Sequence, residues 1–269
     1  MIEILQIPFM QNALIGGIIL AILLSVISLF INAKNWSFIS VGISHATFGG
    51  LAIGFYLGIN PTLVGGLFAV IVGLLIGYIS KHGKIHEDIS IGILFSFSMA
   101  FGVLIMSKSP NYNTDLFTFL FGNILTITDL DIKILIGFTI FSLGFIYIFF
   151  QKILYCCFDE DVAYTSGINT SFFYYSLITI ISIATVLSVK LVGVILASAM
   201  MILPATFANQ FFWHYKKILF FSILFSVFIV VIGIFISYYF DFPAGTFIVF
   251  LYTLIFGIVI LIKRIFKFS

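Results

Sequence analysis

Long apolar runs, separated by short polar segments, make up almost the whole chain. A helix that crosses a membrane needs about 20 apolar residues, because the hydrocarbon layer is about 30 Å thick and each residue adds about 1.5 Å. The runs therefore predict nine membrane-spanning helices, at about residues 9–31, 38–58, 62–80, 89–107, 132–154, 172–189, 191–212, 217–239 and 243–262. Only Lys190 separates the sixth run from the seventh. Either the turn there is tight or one of these two helices is broken, and eight spans are the alternative.

The composition fits a membrane protein and excludes a sizeable soluble domain. Of the 269 residues, 62% are hydrophobic and 8% are charged, whereas roughly a quarter of the residues of a soluble domain are charged. So few charges cannot cover a surface that faces water. We therefore expect a single all-α domain over residues 1–269, a polytopic bundle of transmembrane helices. The net charge of +2 gives no reason to expect a nucleic-acid partner.

Basic residues predict the orientation, because the cytoplasmic loops of membrane proteins carry an excess of Lys and Arg. If the polar segments near residues 81–88 and 158–167 are cytoplasmic, the basic residues on that side are Lys34, Lys81, Lys84, Lys152, Lys216, Lys217, Lys263, Arg264 and Lys267. The basic residues on the other side are then only Lys108, Lys133 and Lys190. The pattern predicts an N-terminus outside and a C-terminus inside.

Two longer segments lie between the predicted spans. Residues 108–133 have an apolar middle of about a dozen residues, too short to cross a membrane, which predicts a short surface helix or a re-entrant segment. Residues 155–171 are polar, with acids at three consecutive positions from Asp159 to Asp161 and a glycine at position 167. Carboxylates stabilise the first turn of a helix and glycine commonly follows its end, so we predict a short cytoplasmic helix there.

The second span carries a histidine among very small residues. Every fourth position is glycine or alanine: Gly42, Ala46, Gly50 and Gly54. Such a stripe lets another helix approach closely, which places this span inside the bundle. His45 lies beside the stripe, and an ionisable side chain within a span is a functional candidate because burying it is costly. A neutral imidazole binds zinc and other transition metals. The alternative is a structural histidine that donates a hydrogen bond to a carbonyl of a neighbouring helix.

Other features of the spans are predicted to be structural. Pro204 lacks a backbone N–H and predicts a bend in the seventh span. Met200 and Met201 lie in the same apolar run, where methionine commonly fills gaps between helices rather than binding a metal.

Five segments stand out in order along the chain: SHATFGGLAIGF from Ser44, EDISIGILFSFSMAFGVLI from Glu87, FDEDVAYTSGI from Phe158, SVKLVGVILASAMMILPATFA from Ser188 and FDFPAGTFIV from Phe240. They resemble segments of the integral-membrane permease subunits of ATP-binding-cassette (ABC) importers for zinc, manganese and iron. Together they extend the resemblance over nearly the whole chain. It implies a multi-pass protein of the bacterial cytoplasmic membrane.

The resemblance also implies partners and roles. Two copies of the chain would pair around a central pathway, and an extracytoplasmic metal-binding protein would deliver a divalent zinc, manganese or iron ion. A separate cytoplasmic ATPase subunit would bind the segment that contains Asp159, Asp161, Ala163 and Gly167. The chain itself is then not an enzyme and needs no permanently bound cofactor. In agreement, the sequence contains no G-x-x-x-x-G-K-[ST] phosphate-binding loop.

The metal path inferred from the resemblance centres on His45, with Ser40, Ser44 and Gly49 beside it. Many members of the family carry an acidic residue four positions before the histidine, but this chain has Val41 there. His45 would then act with backbone carbonyls, water, the two serines or another span. Two other transporter classes stay open at this point: a secondary transporter, although no carboxylate lies in the middle of a predicted span, and a permease for a metal chelate.

Overall fold

The structure is a computed structural model that describes residues 8–83, 85–108 and 127–266, and within these ranges it contains helices and no strand. The helices are α1 (Pro8–Lys34), α2 (Ile39–Leu57), α3 (Pro61–Gly83), α4 (Glu87–Met106), α5 (Asp129–Phe158), α6 (Glu160–Thr165), α7 (Thr170–Ala208), α8 (Tyr215–Phe240) and α9 (Ala244–Phe266). Apart from the six-residue α6, each is long and apolar enough to cross a membrane. The predicted all-α polytopic fold is confirmed. The short helix predicted within 108–133 lies mostly outside the described residues.

Helix α7 folds back on itself at Gly193, whose backbone has φ 83° and ψ 167°. The Oγ1 atom of Thr185 lies 3.5 Å from the Sδ atom of Met201, although a straight helix would separate residues 16 positions apart by about 24 Å. The two arms, residues 170–192 and 194–208, therefore run antiparallel and pack against each other. The tight turn predicted near Lys190 is therefore found three residues further along, at Gly193. Because α7 supplies two apolar segments, the eight long helices of the described ranges supply nine.

Non-helical backbone angles within α7 occur at Gly193, whereas Pro204 lies inside the helical second arm, and the bend predicted at Pro204 stays a prediction. The second arm continues as a helix through Pro204, where α1 supplies polar partners to its backbone and side chains. The Ser28 hydroxyl accepts a hydrogen bond from the Ala205 N–H at 3.2 Å, and the Asn32 side chain accepts one from the Thr206 hydroxyl at 2.9 Å. These contacts fix the arm against α1.

Polar contacts join three helices at one end of the bundle, which we call the Asp131 end. The Nζ atom of Lys190 donates to Asp131 at 2.5 Å and links the tip of the α7 hairpin to the start of α5. Asp131 and Thr128 also form a reciprocal capping box at this start. The Asn12 amide of α1 donates to Asp129 at 3.0 Å. The starts of α1 and α5 and the hairpin tip therefore share one polar cluster.

The opposite end, the Glu160 end, contains the short helix α6 and several basic side chains. Glu160 pairs with Lys81 of α3 at 2.5 Å and with Lys34 of α1 at 3.7 Å. Lys263, in the last turn of α9, donates to the carbonyl of Gln210. The predicted orientation assigns Lys34, Lys81 and Lys263 to the cytoplasm; that orientation stays a prediction.

The backbone at Gly193 gives the first testable prediction. Its conformation is essentially restricted to glycine, and a Cβ atom there costs about 1–3 kcal/mol. We expect Gly193→Ala to lower the melting temperature of the detergent-solubilised protein by roughly 2–10 °C. The matched control is Gly137→Ala in α5, where an added Cβ would have no neighbouring atom within 4 Å. Equal melting temperatures for the two variants would contradict the turn at Gly193.

Candidate functional site

Helix α2 lies between α3 and α4, and its glycines allow the close approach that the sequence predicted. A Cβ atom added to Gly50 would lie 2.7 Å from the Cα atom of Gly65 in α3. One added to Gly49 would lie 2.9 Å from the Ser98 carbonyl oxygen of α4. Neither distance is possible for a real side chain without movement of a backbone, so both helices contact the α2 backbone directly.

The small-residue stripe meets two helices rather than one. Gly42 contacts Ile91 of α4, whereas Gly54 contacts Pro61 at the start of α3. Ala46, between them, is completely buried. The stripe winds slightly around the helix because a repeat of four residues exceeds the 3.6 residues of a turn. The four predicted packing positions therefore lie in the core of an α2–α3–α4 subassembly.

His45 is half-buried on α2, and its ring is held by its own helix. The Nδ1 atom lies 2.9 Å from the carbonyl oxygen of Val41, and the ring packs edge-on against Phe95 of α4 at 5.1 Å between centroids. A carbonyl oxygen can only accept, so Nδ1 carries the proton and a neutral imidazole keeps a lone pair on Nε2. The structural alternative for His45 was a hydrogen bond to a carbonyl of a neighbouring helix. The carbonyl that it contacts instead belongs to its own helix, four residues earlier.

The surroundings of His45 supply few further metal ligands. Among the described residues, no group of three His, Cys, Asp or Glu side chains could hold a metal ion. The hydroxyl of Ser44 donates to the Ser40 carbonyl at 2.6 Å, so this hydroxyl is already engaged. Val41 contributes a backbone carbonyl to the imidazole, not a carboxylate to a metal. Within the described residues, His45 therefore belongs to no preformed set of three such ligands.

Among the buried hydroxyl groups without a hydrogen-bond partner in the described structure, three lie on α2 and α4. They belong to Ser40 of α2 and to Ser90 and Ser98 of α4, each at most 1% exposed. A buried unpaired hydroxyl costs about 1–3 kcal/mol. Sequence analysis identified Ser40 but missed Ser90 and Ser98, although serine in an apolar run was a visible signal. All three serines lie on the two helices that meet where His45 packs against Phe95.

The predicted coupling segment forms the short helix α6, and its capping residues act as the sequence suggested. The Asp159 carboxylate accepts from the N–H groups of Asp161 and Val162 at 3.1 and 3.0 Å and so begins the helix. Gly167 ends it with φ 79°, and the Ile168 N–H reaches back to the Ala163 carbonyl. This is a Schellman motif. Their contact with an ATPase stays a prediction.

The remaining two residues of the coupling prediction differ in exposure. Ala163 is 2% exposed and packs towards the bundle, whereas Asp161 points away from it and is exposed. The structure therefore separates a buried anchoring position from a surface position within the same short helix. Of these two residues, only Asp161 is available to a partner.

Sequence analysis missed the role of Glu160, which holds α6 to the bundle through Lys81 and Lys34. Burial by itself raises the pKa of the Glu160 carboxyl, but the hydrogen bond from Lys81 and the charges of both lysines outweigh burial. The pKa therefore lies below its ordinary value of 4.5. The sequence shows three acids in a row, and only the three-dimensional contacts distinguish the middle one.

The close approach at Gly50 gives a second prediction. An added Cβ atom would lie 2.5 Å from Phe68 Cβ and 2.8 Å from the Val64 carbonyl oxygen. We expect Gly50→Ala to destabilise the solubilised protein by about 1–3 kcal/mol, the usual range for overpacking. Gly144→Ala, at an uncrowded position of α5, is the control and should not destabilise. Thermal unfolding followed by size-exclusion chromatography tests this, and an unaffected Gly50→Ala variant would refute the contact.

The lowered pKa of Glu160 gives a third prediction. A carboxylate whose pKa is lowered by folding contributes stability above its ordinary pKa and loses it as the pH falls through the lowered value. We expect the melting-temperature difference between the wild type and Glu160→Gln to stay constant from about pH 8 to about pH 6. It should shrink below pH 4.5. A difference that grows on acidification would be inconsistent with the ion pair.

Comparison with known proteins identifies relatives over almost the entire chain. Residues 6–263 match the ABC 3 transport family. The manganese import system permease protein ScaB of Streptococcus gordonii is 37% identical over 248 residues, which cover 92% of this chain and 89% of that protein. The manganese transport system membrane protein MntC of Listeria monocytogenes is 32% identical and covers 96% and 92%. The chelated iron transport system membrane protein YfeD of Yersinia pestis is 31% identical and covers 96% and 86%.

A solved structure has the same architecture. A chain of PsaBC from Streptococcus pneumoniae in complex with Fab superposes with a TM-score of 0.82 at 35% sequence identity, over 96% of this chain and 93% of that chain. The resemblance first seen in five short segments is confirmed over the whole length. The chain therefore belongs to the ABC 3 transport family, the metal-ion ABC permeases of bacterial membranes.

Proposed function

We propose that this chain is the permease subunit of an ATP-driven importer that carries a divalent transition-metal ion into the bacterial cytoplasm, and that manganese is its substrate. The observation that carries the proposal is the similarity of nearly the whole chain to two permeases named for manganese, at 37% and 32% identity. A second candidate is iron, free or chelated. It is favoured by the similarity at 31% identity to the chelated-iron protein of Yersinia pestis.

His45 is the proposed contact of the chain with the passing ion. Its Nδ1–H is occupied by the Val41 carbonyl, which leaves the Nε2 lone pair for a metal. Its half-buried ring packs against Phe95 of α4. A single imidazole holds a metal weakly, which suits an ion that must be released again. The remaining donors would be water and the same residues of a second copy.

Three partners complete the proposed importer. A second copy could approach α4, where small residues repeat on an exposed face at Gly92, Ser96 and Ala100, beside Phe95. A cytoplasmic ATPase subunit would dock on α6, whose Val162 and Tyr164 side chains are 57% and 72% exposed. An extracytoplasmic metal-binding protein would deliver the ion at the Asp131 end. ATP hydrolysis would then take place on a separate subunit.

Metal accumulation in cells tests the proposal. We expect cells that express the chain with its ATPase subunit and metal-binding protein to accumulate manganese, and His45→Ala to reduce accumulation at least about tenfold, as loss of a metal-site residue commonly does. The matched control is His82→Ala, because His82 makes the same kind of bond to a carbonyl four residues earlier but is exposed at the end of α3. This control should transport like the wild type.

Other outcomes have definite meanings. Accumulation of iron without manganese would replace the substrate and keep the importer. Accumulation that persists when the ATPase subunit is deleted would refute the ATP-driven mechanism and favour a secondary transporter. Equal accumulation by His45→Ala and His82→Ala would return His45 to a structural role.

A further inference from the structure

The six-residue helix α6 has a single polar attachment to helices that are not its neighbours in the chain. Among the described residues, the hydrogen bonds of Asp159, Thr165 and Ser166 stay within α6 and its capping residues. Glu160 alone reaches α1 and α3, through Lys34 and Lys81. A force applied to α6 by a partner can therefore be passed to these two helices through one carboxylate.

Each lysine leads to a different part of the bundle. Lys81 lies in the last turn of α3, which packs against α2 at the close contact between Gly65 and Gly50. This route leads to the helix that carries His45. Lys34 ends α1, which is hydrogen-bonded to the second arm of α7 through Ser28 and Asn32. The Glu160 carboxylate thus connects α6 to both the α2–α3–α4 subassembly and the α1–α7 contact.

The two lysines share an aromatic support. Their Nζ atoms lie 5.7 Å (Lys34) and 5.1 Å (Lys81) from the ring centroid of Tyr174, a side chain of α7 that is 5% exposed. Trp36 packs edge-on against this ring at 5.3 Å. Two ammonium groups beside one buried ring repel each other, and an anion that pairs with both offsets this repulsion. Glu160 supplies that anion, so its loss both releases α6 and pushes the two lysines apart.

The position of Glu160 is specific within the acidic segment. The carboxylate of Asp159 is used to cap α6, and that of Asp161 is on the exposed side. Glu160 is one carbon longer than either aspartate and reaches a polar cavity of about 350 Å³ lined by Ser80, Lys81, His86, Glu87 and Tyr174. Its side chain is 31% exposed, which leaves the ion pairs only partly hydrated.

We propose that Glu160 is a positioning residue of the transport cycle: by pairing with Lys81 and Lys34 it transmits the movement of α6 to α3, which packs against the helix that carries His45, and to α1. This inference rests on the proposed function. Binding of the ATPase subunit should not need Glu160, because its carboxylate is already paired with Lys81 and Lys34, whereas the Val162 and Tyr164 side chains are free to contact a partner. Loss of the carboxylate should instead uncouple the two processes, so that ATP is hydrolysed but less metal is transported for each ATP.

The test uses the whole transporter, purified by a tag on this chain and reconstituted in liposomes with its metal-binding protein and ⁵⁴Mn²⁺. The measured quantity is the number of manganese ions transported per ATP hydrolysed. We expect Glu160→Gln to retain the ATPase subunit and to hydrolyse ATP within about twofold of the wild type, while the ratio falls about tenfold. Asp88→Asn, which removes an exposed acid at the same end of the bundle, is the matched control and should keep the wild-type ratio.

Lysine variants separate transmission from misfolding. Lys81→Gln should lower the ratio like Glu160→Gln, and Lys34→Gln should lower it less because its ion pair is longer, 3.7 Å against 2.5 Å. The double variant Glu160→Gln with Lys81→Gln should be no worse than either single variant, since residues that act as a pair are not additive. Additive losses would overturn the proposal.

Two further results would also overturn it. One is an unchanged ratio in Glu160→Gln; the other is loss of the ATPase subunit in parallel with transport, which would make Glu160 a docking residue. Transport by the wild-type protein tests the proposed function independently of Glu160. If the wild type transports neither manganese nor iron with ATP, the importer proposal fails, whereas normal wild-type transport with an unaffected Glu160→Gln ratio refutes only the role of Glu160.

Discussion

The close approach of α2 to α3 and α4 is the constraint on which the arrangement of the bundle depends. In a membrane, lipid chains are as apolar as the helix surfaces, so packing rather than the hydrophobic effect brings helices together. Gly50 meets the Gly65 backbone and Gly49 meets a carbonyl of α4, with no side chain between them. The direction of His45 on α2 follows from this contact, because rotation of the helix would bring larger side chains into both interfaces.

The turn at Gly193 obeys a second rule of membrane proteins, that irregular backbone is tolerated only where protein surrounds it. Val192, Gly193 and Val194 are all buried, and Lys190 is held nearby by Asp131. The chain can therefore reverse direction within one residue without exposing its polar groups to lipid. One long helix thereby contributes two segments to the core, the first lying against α3 and the second against α1.

Prediction from sequence succeeded where the signal was local. Hydrophobic runs gave the spans, the spacing of Gly42 to Gly54 indicated burial of α2, and Asp159 and Gly167 marked the two ends of α6. It failed where the decisive partner is distant in the chain. Nothing in three consecutive acids distinguishes Glu160, whose lysines lie 79 and 126 positions away. The positive φ of Gly193 is likewise a tertiary result, and a proline eleven residues later was the more obvious local signal.

The Asp131 carboxylate takes part in two contacts, the capping box of α5 and the ion pair with Lys190. One oxygen accepts from Lys190, and the other closes the capping box with Thr128. Because the adjacent Asp129 also binds Asn12, the starts of α1 and α5 and the tip of the α7 hairpin have a common point of attachment. Helices joined at one end cannot slide along one another independently, but they can still change their mutual tilt. A lengthwise shift of any one of these three elements would therefore have to break the polar contacts of Asp131 or Asp129.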